Sequence, residues 1–413
     1  MDVVSLCELP AIGWRWQPRP GLSAFAITCK ATLSLGPGTL ALAREQDPLR
    51  EADIPWGAGI ASLYAASDIA PRKPRAEVVV VGDVYAPRGE PVERVVARIR
   101  ISEIDKSLEV ACDRTLQLDG TIVAGARFAR SQLLYERAAG GPSTANPVGL
   151  DMRPGPYGEI TLPNITGVGA RIARDVTLAP VGFGPLAAAW PTRSAMGTAA
   201  LNLTPDRWHT LPLSEQDLAF FNSAPRDQQL SHLNGTESIT LENLHPEYSL
   251  LDCKLPGLQL SVTVQDALSE RQVSMRCDTL WIDTRRAVAC LVYRANIELA
   301  ATDPAGRAWV TIDRGSGAGS YRDEMPYYAA QPFGVSETAR PVSRGQVDTQ
   351  TLDLAAITAG LESHELELTG LGRAAGPTPL GACASPFGAP FMAAPSSMSL
   401  PQPPPSWRQV AVP

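Results

Sequence analysis

The stretch FAITCKATLSL, residues 25–35, alternates between apolar and polar side chains. Its odd positions hold Phe, Ile, Cys, Ala, Leu and Leu, whereas its even positions hold Ala, Thr, Lys, Thr and Ser. A period of two sends alternate side chains to opposite faces of a strand, so this pattern predicts a half-buried β-strand. Gly36-Pro37-Gly38 then predicts a hairpin turn into residues 40–43.

Similar strand patterns recur through the first 130 residues. They predict strands at 77–85, 95–101 and 108–112, and Asp119-Gly120 predicts a hairpin between two further apolar runs. Short strands with few helical periods between them are typical of antiparallel sheets. The fold class predicted is mainly β, with antiparallel sheets packed as a sandwich or open barrel, and residues 1–130 are its N-terminal β domain.

The middle of the chain, residues 131–235, is rich in Gly, Pro and Asn and has few runs long enough for a regular strand. A loop of this length without any structure is unusual in a compact domain, so we expect a folded, loop-rich segment packed on the sheets. One short helix is predicted at 215–221, because Ser214 and Asp217 have the spacing of a capping box.

Strand patterns return in the C-terminal β region, residues 236–372. They predict strands at 258–264, 273–282 and 287–299, and the spacing of Leu354, Ile357 and Leu361 favours a short helix. From residue 373 to 413 the chain is rich in Pro, Ala and Ser, which predicts a disordered tail.

The composition bears on partners and compartment. The net charge is -7 with no block of Lys and Arg, so we expect no nucleic-acid partner. No apolar run approaches the ~18 residues of a membrane helix, so no membrane insertion is expected. The seven scattered cysteines favour a reducing compartment, and the N-terminus has no signal-peptide pattern, which together predict a cytoplasmic bacterial protein.

The sequence offers little support for catalysis. It has no Cys-x-x-Cys, no closely spaced histidines, no Gly-x-Ser-x-Gly and no phosphate-binding loop, so we expect no metal, no cofactor and no catalytic residue. The GSGAGS stretch at 315–320 lacks the strand-helix context of a dinucleotide site. Glu136, Asp151 and Glu159 leave a glycan hydrolase as a low-ranked alternative, because such enzymes need only two facing acids.

Several polar residues of the middle segment are interpreted as structural. Asn146 precedes Pro147 in a turn, where its side chain can bond to nearby backbone groups. Asp227-Gln228-Gln229, just past the predicted helix, has the same potential. Irregular segments need such bonds because their buried backbone groups have no regular partners.

A succession of motifs resembles the domain-of-unknown-function 2169 family of bacterial proteins. In order, the motifs are SDIAPRKPRAEVVVVGDVYAP from Ser67, LYERAAGG from Leu134, NPVG from Asn146, LPNI from Leu162, PVGFGPL from Pro180, FFNSAPRDQQ from Phe220, GTESITLENL from Gly235, CDTLWID from Cys277 and VYRANIEL from Val292. The resemblance covers roughly residues 22–299. AAGG stands where AYGG is usual in the family.

The resemblance implies a non-enzymatic adaptor or chaperone of the type VI secretion system. Its protein partner would be a secretion effector, a PAAR-tip protein or a spike protein, and the adaptor would help to load the effector on the spike. The alternatives are a structural component of the spike or tip, exported with the machine, and a cell-wall hydrolase. Partner-binding side chains are expected to be aromatic or Arg, and the candidates are Tyr135, Arg137, Trp190 and Arg193.

Overall fold

The computed structural model describes residues 2–197, 204–265, 270–299 and 307–313. All of them belong to one compact unit, Met1–Arg322. Three features predicted from the sequence lie outside the described residues: the GSGAGS loop, the helix around Ile357, and the tail from 373 to 413.

Strands dominate the described chain. In chain order they are β1 (Asp2–Ser5), β2 (Ala11–Arg19), β3 (Leu22–Ser34), β4 (Gly38–Thr39), β5 (Ala41–Leu42), β6 (Ile54–Gly57), β7 (Ile60–Ala65), β8 (Ala76–Val81), β9 (Asp83–Tyr85), β10 (Arg94–Ile101), β11 (Ile104–Ala111), β12 (Arg114–Leu116), β13 (Ile122–Ala124), β14 (Arg130–Gln132), β15 (Ile160–Leu162), β16 (Ile165–Gly167), β17 (Gln229–Leu230), β18 (Ser238–Glu242), β19 (Leu250–Lys254), β20 (Gln259–Gln265), β21 (Glu270–Ser274), β22 (Arg276–Asp283), β23 (Val288–Leu299) and β24 (Arg307–Asp313). The α-helices are α1 (Pro191–Ser194) and α2 (Glu215–Ala219), and single 3-10 turns lie at Pro87–Gly89, Tyr135–Arg137, Pro205–Arg207 and Arg226–Gln228.

The largest sheet has the strand order β17-β8-β22-β23-β3-β2, with β5 added to one end of β3. β3 contains most of the FAITCKATLSL stretch and pairs with β23 over twelve residues, from Ser23 to Ser34. β8 and β22 run parallel, and the other pairs of this sheet are antiparallel. The prediction of a mainly β fold with antiparallel sheets is confirmed, and none of the sheets formed by the described residues closes on itself.

A second sheet, β16-β11-β10-β18-β19-β4, packs against one face of the first. The two sheets share one apolar cluster, to which Ile27 and Leu291 contribute from the first sheet and Ile99 and Leu241 from the second. All four side chains are fully buried. Burial of this cluster is the main favourable contribution to folding.

Both faces of β3 are buried, which corrects the prediction of a half-buried strand. Thr28, Lys30 and Thr32 on its polar face are at most 1% exposed. The cause is a layer made mainly of irregular chain, named here the cover, that consists of residues 43–75, 183–197 and 204–225. Periodicity identifies the apolar face of a strand, but it does not reveal that polar side chains are buried under a third layer.

The structure does not divide the strands at the predicted domain boundaries. β3 and β8, from residues 1–130, lie beside β23 and β22, from residues 236–372, in one sheet. The predicted N-terminal β domain and C-terminal β region therefore contribute strands to the same sheet. Within 131–197 and 204–235, the parts of the middle segment that the structure describes, the elements are short strands, short helices and turns.

Two local predictions are confirmed. The Asp119-Gly120 turn joins β12 and β13, and β15 completes their three-stranded sheet, in the order β13-β12-β15. Ser214 and Asp217 form the capping box of α2. No helix among the described residues has the length and hydropathy needed to cross a membrane.

Candidate functional site

Tyr135 and Trp190, two of the predicted partner-binding residues, lie inside the protein. They are 6% and 4% exposed, and their rings meet edge to face with centroids 5.0 Å apart. The Tyr135 hydroxyl donates a 3.0 Å hydrogen bond to the Gly184 carbonyl. Burial raises the pKa of Tyr135, so the phenol stays protonated. These contacts join the Tyr135–Arg137 turn to the part of the cover around Gly184 and Trp190.

Arg193 is also buried, at the end of α1. Its guanidinium donates 2.8 Å hydrogen bonds to the carbonyls of Phe220 and Leu186, and it lies 4.8 Å from the centre of the Phe220 ring. Burial lowers the pKa of Arg193, while Asp53, 3.8 Å away, opposes this effect. Arg193 therefore holds two parts of the cover together.

Arg137 is the most open of the four candidates, with its side chain 33% exposed. Its guanidinium lies 3.9 Å from the exposed carboxylate of Asp113. The burial of Tyr135, Trp190 and Arg193 favours a structural role for those three residues in the folded chain. Partner binding by the four residues stays a prediction.

A network of buried charges fastens residues 43–75 to the polar face of the large sheet. Lys30, on β3, donates 2.9 Å hydrogen bonds to the Asp68 carboxylate and the Pro48 carbonyl. Arg294, on β23, pairs with Asp278 and donates to the Ala70 carbonyl at 3.2 Å. A buried charge is tolerated only when it is paired and hydrogen-bonded, and each of these meets that condition.

Glu77 forms the second centre of this network. It is completely buried on β8 and pairs with Lys73, whose ammonium also donates to Thr279 at 2.9 Å. The Ala224 N–H donates to the same carboxylate at 3.0 Å, and the Ser223 hydroxyl does so at 3.2 Å. Burial opposes ionisation of Glu77, but the charge of Lys73 and the bond from Ala224 hold its pKa below the ordinary value.

Two of the motifs quoted from the sequence therefore meet at one carboxylate. Lys73 and Glu77 belong to SDIAPRKPRAEVVVVGDVYAP, and Ser223 and Ala224 belong to FFNSAPRDQQ. Sequence reasoning missed this centre, although Lys73 is one of only four lysines in the chain. The scarcity of lysine, together with an acid four residues later in a strand-forming run, was the available signal.

The predicted structural role of the polar residues is confirmed. The Asn146 side-chain amide donates to the carbonyls of Tyr135 at 2.8 Å and Ala139 at 3.0 Å. Gln228 donates to Val78 at 2.7 Å and to Phe183 at 2.9 Å. The Asn146 bonds satisfy carbonyls of the irregular segment, and the Gln228 bonds join one edge of β8 to Phe183.

The cavity beside the charge network is too small for a substrate. It has a volume of about 10 Å³ and is lined by Asp68, Lys73, Glu77 and neighbouring residues, which is at the lower limit for a single water molecule. Among the described residues, no cluster of His, Cys, Asp and Glu could hold a metal ion.

Each of the three acids of the hydrolase alternative accepts a hydrogen bond or forms an ion pair within the chain. Glu136 accepts 2.9 and 2.8 Å bonds from the N–H groups of Ala61 and Ser62. Asp151 pairs with Arg153 at 2.6 Å, and Glu159 accepts a bond from the N–H of Tyr157. The Glu136 contacts join the Tyr135–Arg137 turn to β7, and the other two contacts lie within loops of the middle segment.

Exposed apolar side chains concentrate at the end of the three-stranded sheet. Leu118, on the β12–β13 turn, is 71% exposed, and Tyr157, on the turn before β15, is 88% exposed. The turns adjoin, because a methyl group on Gly158 would lie 3.0 Å from the Leu118 Cδ1. We name Leu118 and Tyr157 the apolar tip.

The turns that carry the apolar tip are well defined. Asp119 accepts a 2.9 Å hydrogen bond from the Thr121 N–H, which lowers the pKa of its carboxyl. On the other turn, Gly158 donates to the Gly155 carbonyl at 3.0 Å. Contiguous exposed apolar surface marks protein-interaction sites, and the two turns that carry the apolar tip adjoin.

The protein is rich in strands, and residues of its sequence motifs fasten the cover to the large sheet. The family described as "Uncharacterized protein conserved in bacteria (DUF2169)" matches residues 21–294, and the chain belongs to this family. None of the curated proteins compared with the chain matches it significantly. The same is true of the solved structures.

Proposed function

We propose that this protein is a non-enzymatic adaptor or chaperone of a type VI secretion system. It binds a secretion effector or PAAR-tip protein and helps to load that protein on the spike. The resemblance of the motifs suggests the secretion context, and the apolar tip is the observation that supports protein binding. Tyrosine at the centre of an interface contributes strongly to binding because it buries a large, rigid surface.

The placement of the motif residues is consistent with this proposal. Glu77, Lys73 and Tyr135 are buried and engaged within the chain, so they maintain the fold instead of facing a substrate. Partner contact is left to exposed side chains. Leu118 and Tyr157 are the two most exposed of the large apolar residues in the described chain.

The test is a quantitative pull-down of the tagged full-length protein from its host, followed by reconstitution with the purified partner. We expect stoichiometric recovery of an effector, PAAR-tip or spike protein by the wild type. Leu118→Ser with Tyr157→Ser should reduce that recovery about tenfold or more. The matched control, Leu250→Ser with Tyr248→Ser, removes an exposed Leu and Tyr elsewhere and should bind normally.

Two results would count against the proposal. If the wild type recovers no secretion protein, the proposed adaptor role is contradicted. Equal binding by the tip variant and the control variant would show that the partner uses another surface. The unfolding temperature of the tip variant should match that of the wild type, because its replaced side chains are exposed. The control variant also loses the contact between the rings of Tyr248 and His245, and its unfolding temperature is measured beside it.

A further inference from the structure

β13 has an open edge. It is the terminal strand of its sheet and pairs on one side with β12, in the register Thr115 with Val123. No strand among the described residues lies on its other side. Such an edge presents backbone groups that can pair with another chain.

The hydrogen-bond pattern identifies which backbone groups face outward. Gln117 donates to the Thr121 carbonyl at 2.8 Å, and Gly125 donates to the Asp113 carbonyl at 2.7 Å. Bonded pairs alternate along an antiparallel ladder, so Thr115 and Val123 form the bonded pair between these two. The N–H and C=O groups of Ile122 and Ala124 therefore point away from β12.

The side chains of this edge are unusually apolar for an exposed strand. Ile122 is 42% exposed and Val123 is 51% exposed. Natural edge strands are commonly protected by charges, prolines or bulges, and residues 121–126 contain none of these protections. An edge of this kind favours pairing.

The charges that flank the edge are complementary to those of a second copy. In an antiparallel pair centred on Val123, partner residue numbers sum to twice 123. Continued past the ends of β13, this register brings position 119 of one copy near position 127 of the other. Position 119 is Asp and position 127 is Arg. Arg127 is 65% exposed and lies 3.1 Å from Glu93 of its own chain. It would therefore bridge Glu93 and the Asp119 of the second copy, which lies on the solvent-facing turn. Each dimer would gain this ion pair twice.

We propose that a second copy of this chain pairs with β13 across a two-fold axis at Val123. Ile122 of each copy then bonds with Ala124 of the other, which adds four backbone hydrogen bonds from the groups that face outward. The two Val123 side chains meet in a non-bonded pair, where side chains approach most closely. The two three-stranded sheets become one continuous sheet, and the symmetric contact closes at two copies.

The inference does not depend on the proposed function, although Leu118 of the apolar tip lies beside Asp119 on the same hairpin. The first test is the sedimentation of the full chain across a wide range of concentration. We expect a monomer–dimer equilibrium for the wild type. Val123→Lys should weaken the dimer about tenfold or more, whereas Val168→Lys, at a valine 53% exposed elsewhere, should not.

A second variant tests the backbone pairing. Ala124→Pro removes an N–H that faces outward and leaves the bonded pair of Thr115 and Val123 in place. It should dissociate the dimer without lowering the unfolding temperature appreciably. A wild type that stays monomeric at every concentration would overturn the proposal, and so would a dimer that neither Val123→Lys nor Ala124→Pro weakens.

Cysteine cross-linking locates the two-fold axis. Under mild oxidation, Val123→Cys should form a disulfide between copies, because position 123 faces itself. Ile122→Cys and Ala124→Cys should not, since each is offset by two residues from its equivalent, beyond the ~7 Å Cα separation that a disulfide tolerates. Cross-linking at all three positions alike, or at none, would contradict the two-fold axis.

Charge exchange tests the flanking ion pair. Arg127→Glu should weaken the dimer by placing two acids opposite each other, and adding Asp119→Lys should restore it. Asp119→Asn, which keeps an oxygen for the Thr121 N–H, controls for the local turn. A dimer equally stable in the single and double charge variants would remove Asp119 and Arg127 from the interface.

Discussion

Gly182 lies against the ring of Tyr135 so closely that no other residue fits at this position without movement. A methyl group at residue 182 would lie 2.4 Å from Cε1 and 2.7 Å from Cζ of the ring. Gly184 lies near the other edge of the same ring, but a methyl group there would lie 3.6 Å from Cε2. The two glycines of PVGFGPL therefore differ in what they tolerate.

Gly182→Ala should destabilise the protein by about 1–3 kcal/mol, because the ring of Tyr135 is buried and cannot move without disturbing its neighbours. Gly184→Ala adds the same methyl group at an ordinary contact distance, and it should change the free energy of unfolding by less than about 1 kcal/mol. Urea unfolding of both variants measures the difference. Equal losses would indicate that the packing around Tyr135 does not distinguish the two positions.

Removing one partner of the buried Lys73–Glu77 pair should be costly. Glu77→Gln leaves the Lys73 ammonium buried without its counter-charge, and we expect a loss of about 3–5 kcal/mol in the free energy of unfolding. Lys73→Met with Glu77→Gln should recover part of that loss, because no unpaired charge remains. The comparison is the exposed Arg72–Glu215 pair, where Glu215→Gln should cost less than about 1 kcal/mol.

His245 should make stability depend on pH near neutrality. Its Nδ1 accepts hydrogen bonds from the N–H groups of Glu247 at 3.1 Å and Tyr248 at 3.3 Å. Burial lowers the pKa of His245 below its ordinary 6.5, although the Leu35 carbonyl and Glu247 oppose this effect. The ring is therefore neutral in the folded protein.

The direction in which stability changes with pH follows from the number of protons that each state binds. Below pH 6.5 the unfolded chain protonates His245 while the folded chain does not, so the free energy of unfolding falls as pH falls from 6.5 towards the lower folded pKa. His245→Asn should flatten this slope, whereas His232→Asn, on the surface, should leave it unchanged. Unfolding in urea between pH 5 and pH 7.5 measures the slope. An unchanged slope in the His245 variant would assign the effect to other groups.

Asn146 should resist replacement by its closest isostere. Its amide donates to two backbone carbonyls, so Asn146→Asp would place a carboxylate against two acceptors. We expect a loss larger than the ~1–3 kcal/mol of Asn146→Ala, since the buried charge adds to the two missing bonds. Thermal unfolding ranks the two variants, and a less stable Ala variant would contradict the reasoning.

The sequence predicted local features well, because their causes are local. The β12–β13 turn needs only Asp119-Gly120, the start of α2 needs only Ser214 and Asp217, and the alternation around Ile27 needs only period two. The structural role of Asn146 also followed from its neighbours in the chain.

The remaining features depend on contacts between residues far apart in the sequence. The burial of Lys30 depends on Asp68, and that of Glu77 depends on Ser223 and Ala224. The contacts of the candidate residue Tyr135 with Gly182 and Trp190 are likewise contacts that its neighbours in the sequence do not reveal. An aromatic residue can pack in the core or contact a partner, and periodicity and spacing do not separate the two cases.

The pairing of β3 with β23 has a consequence for synthesis on the ribosome. Until β22 and β23 have been translated, β3 and β8 each lack the neighbour that fills the gap between them in the large sheet. The nascent chain therefore carries apolar strands with open edges from the translation of β3 until that of β23, and such edges invite aggregation. Factors that shield nascent chains should matter more for this protein than for one whose first half folds by itself.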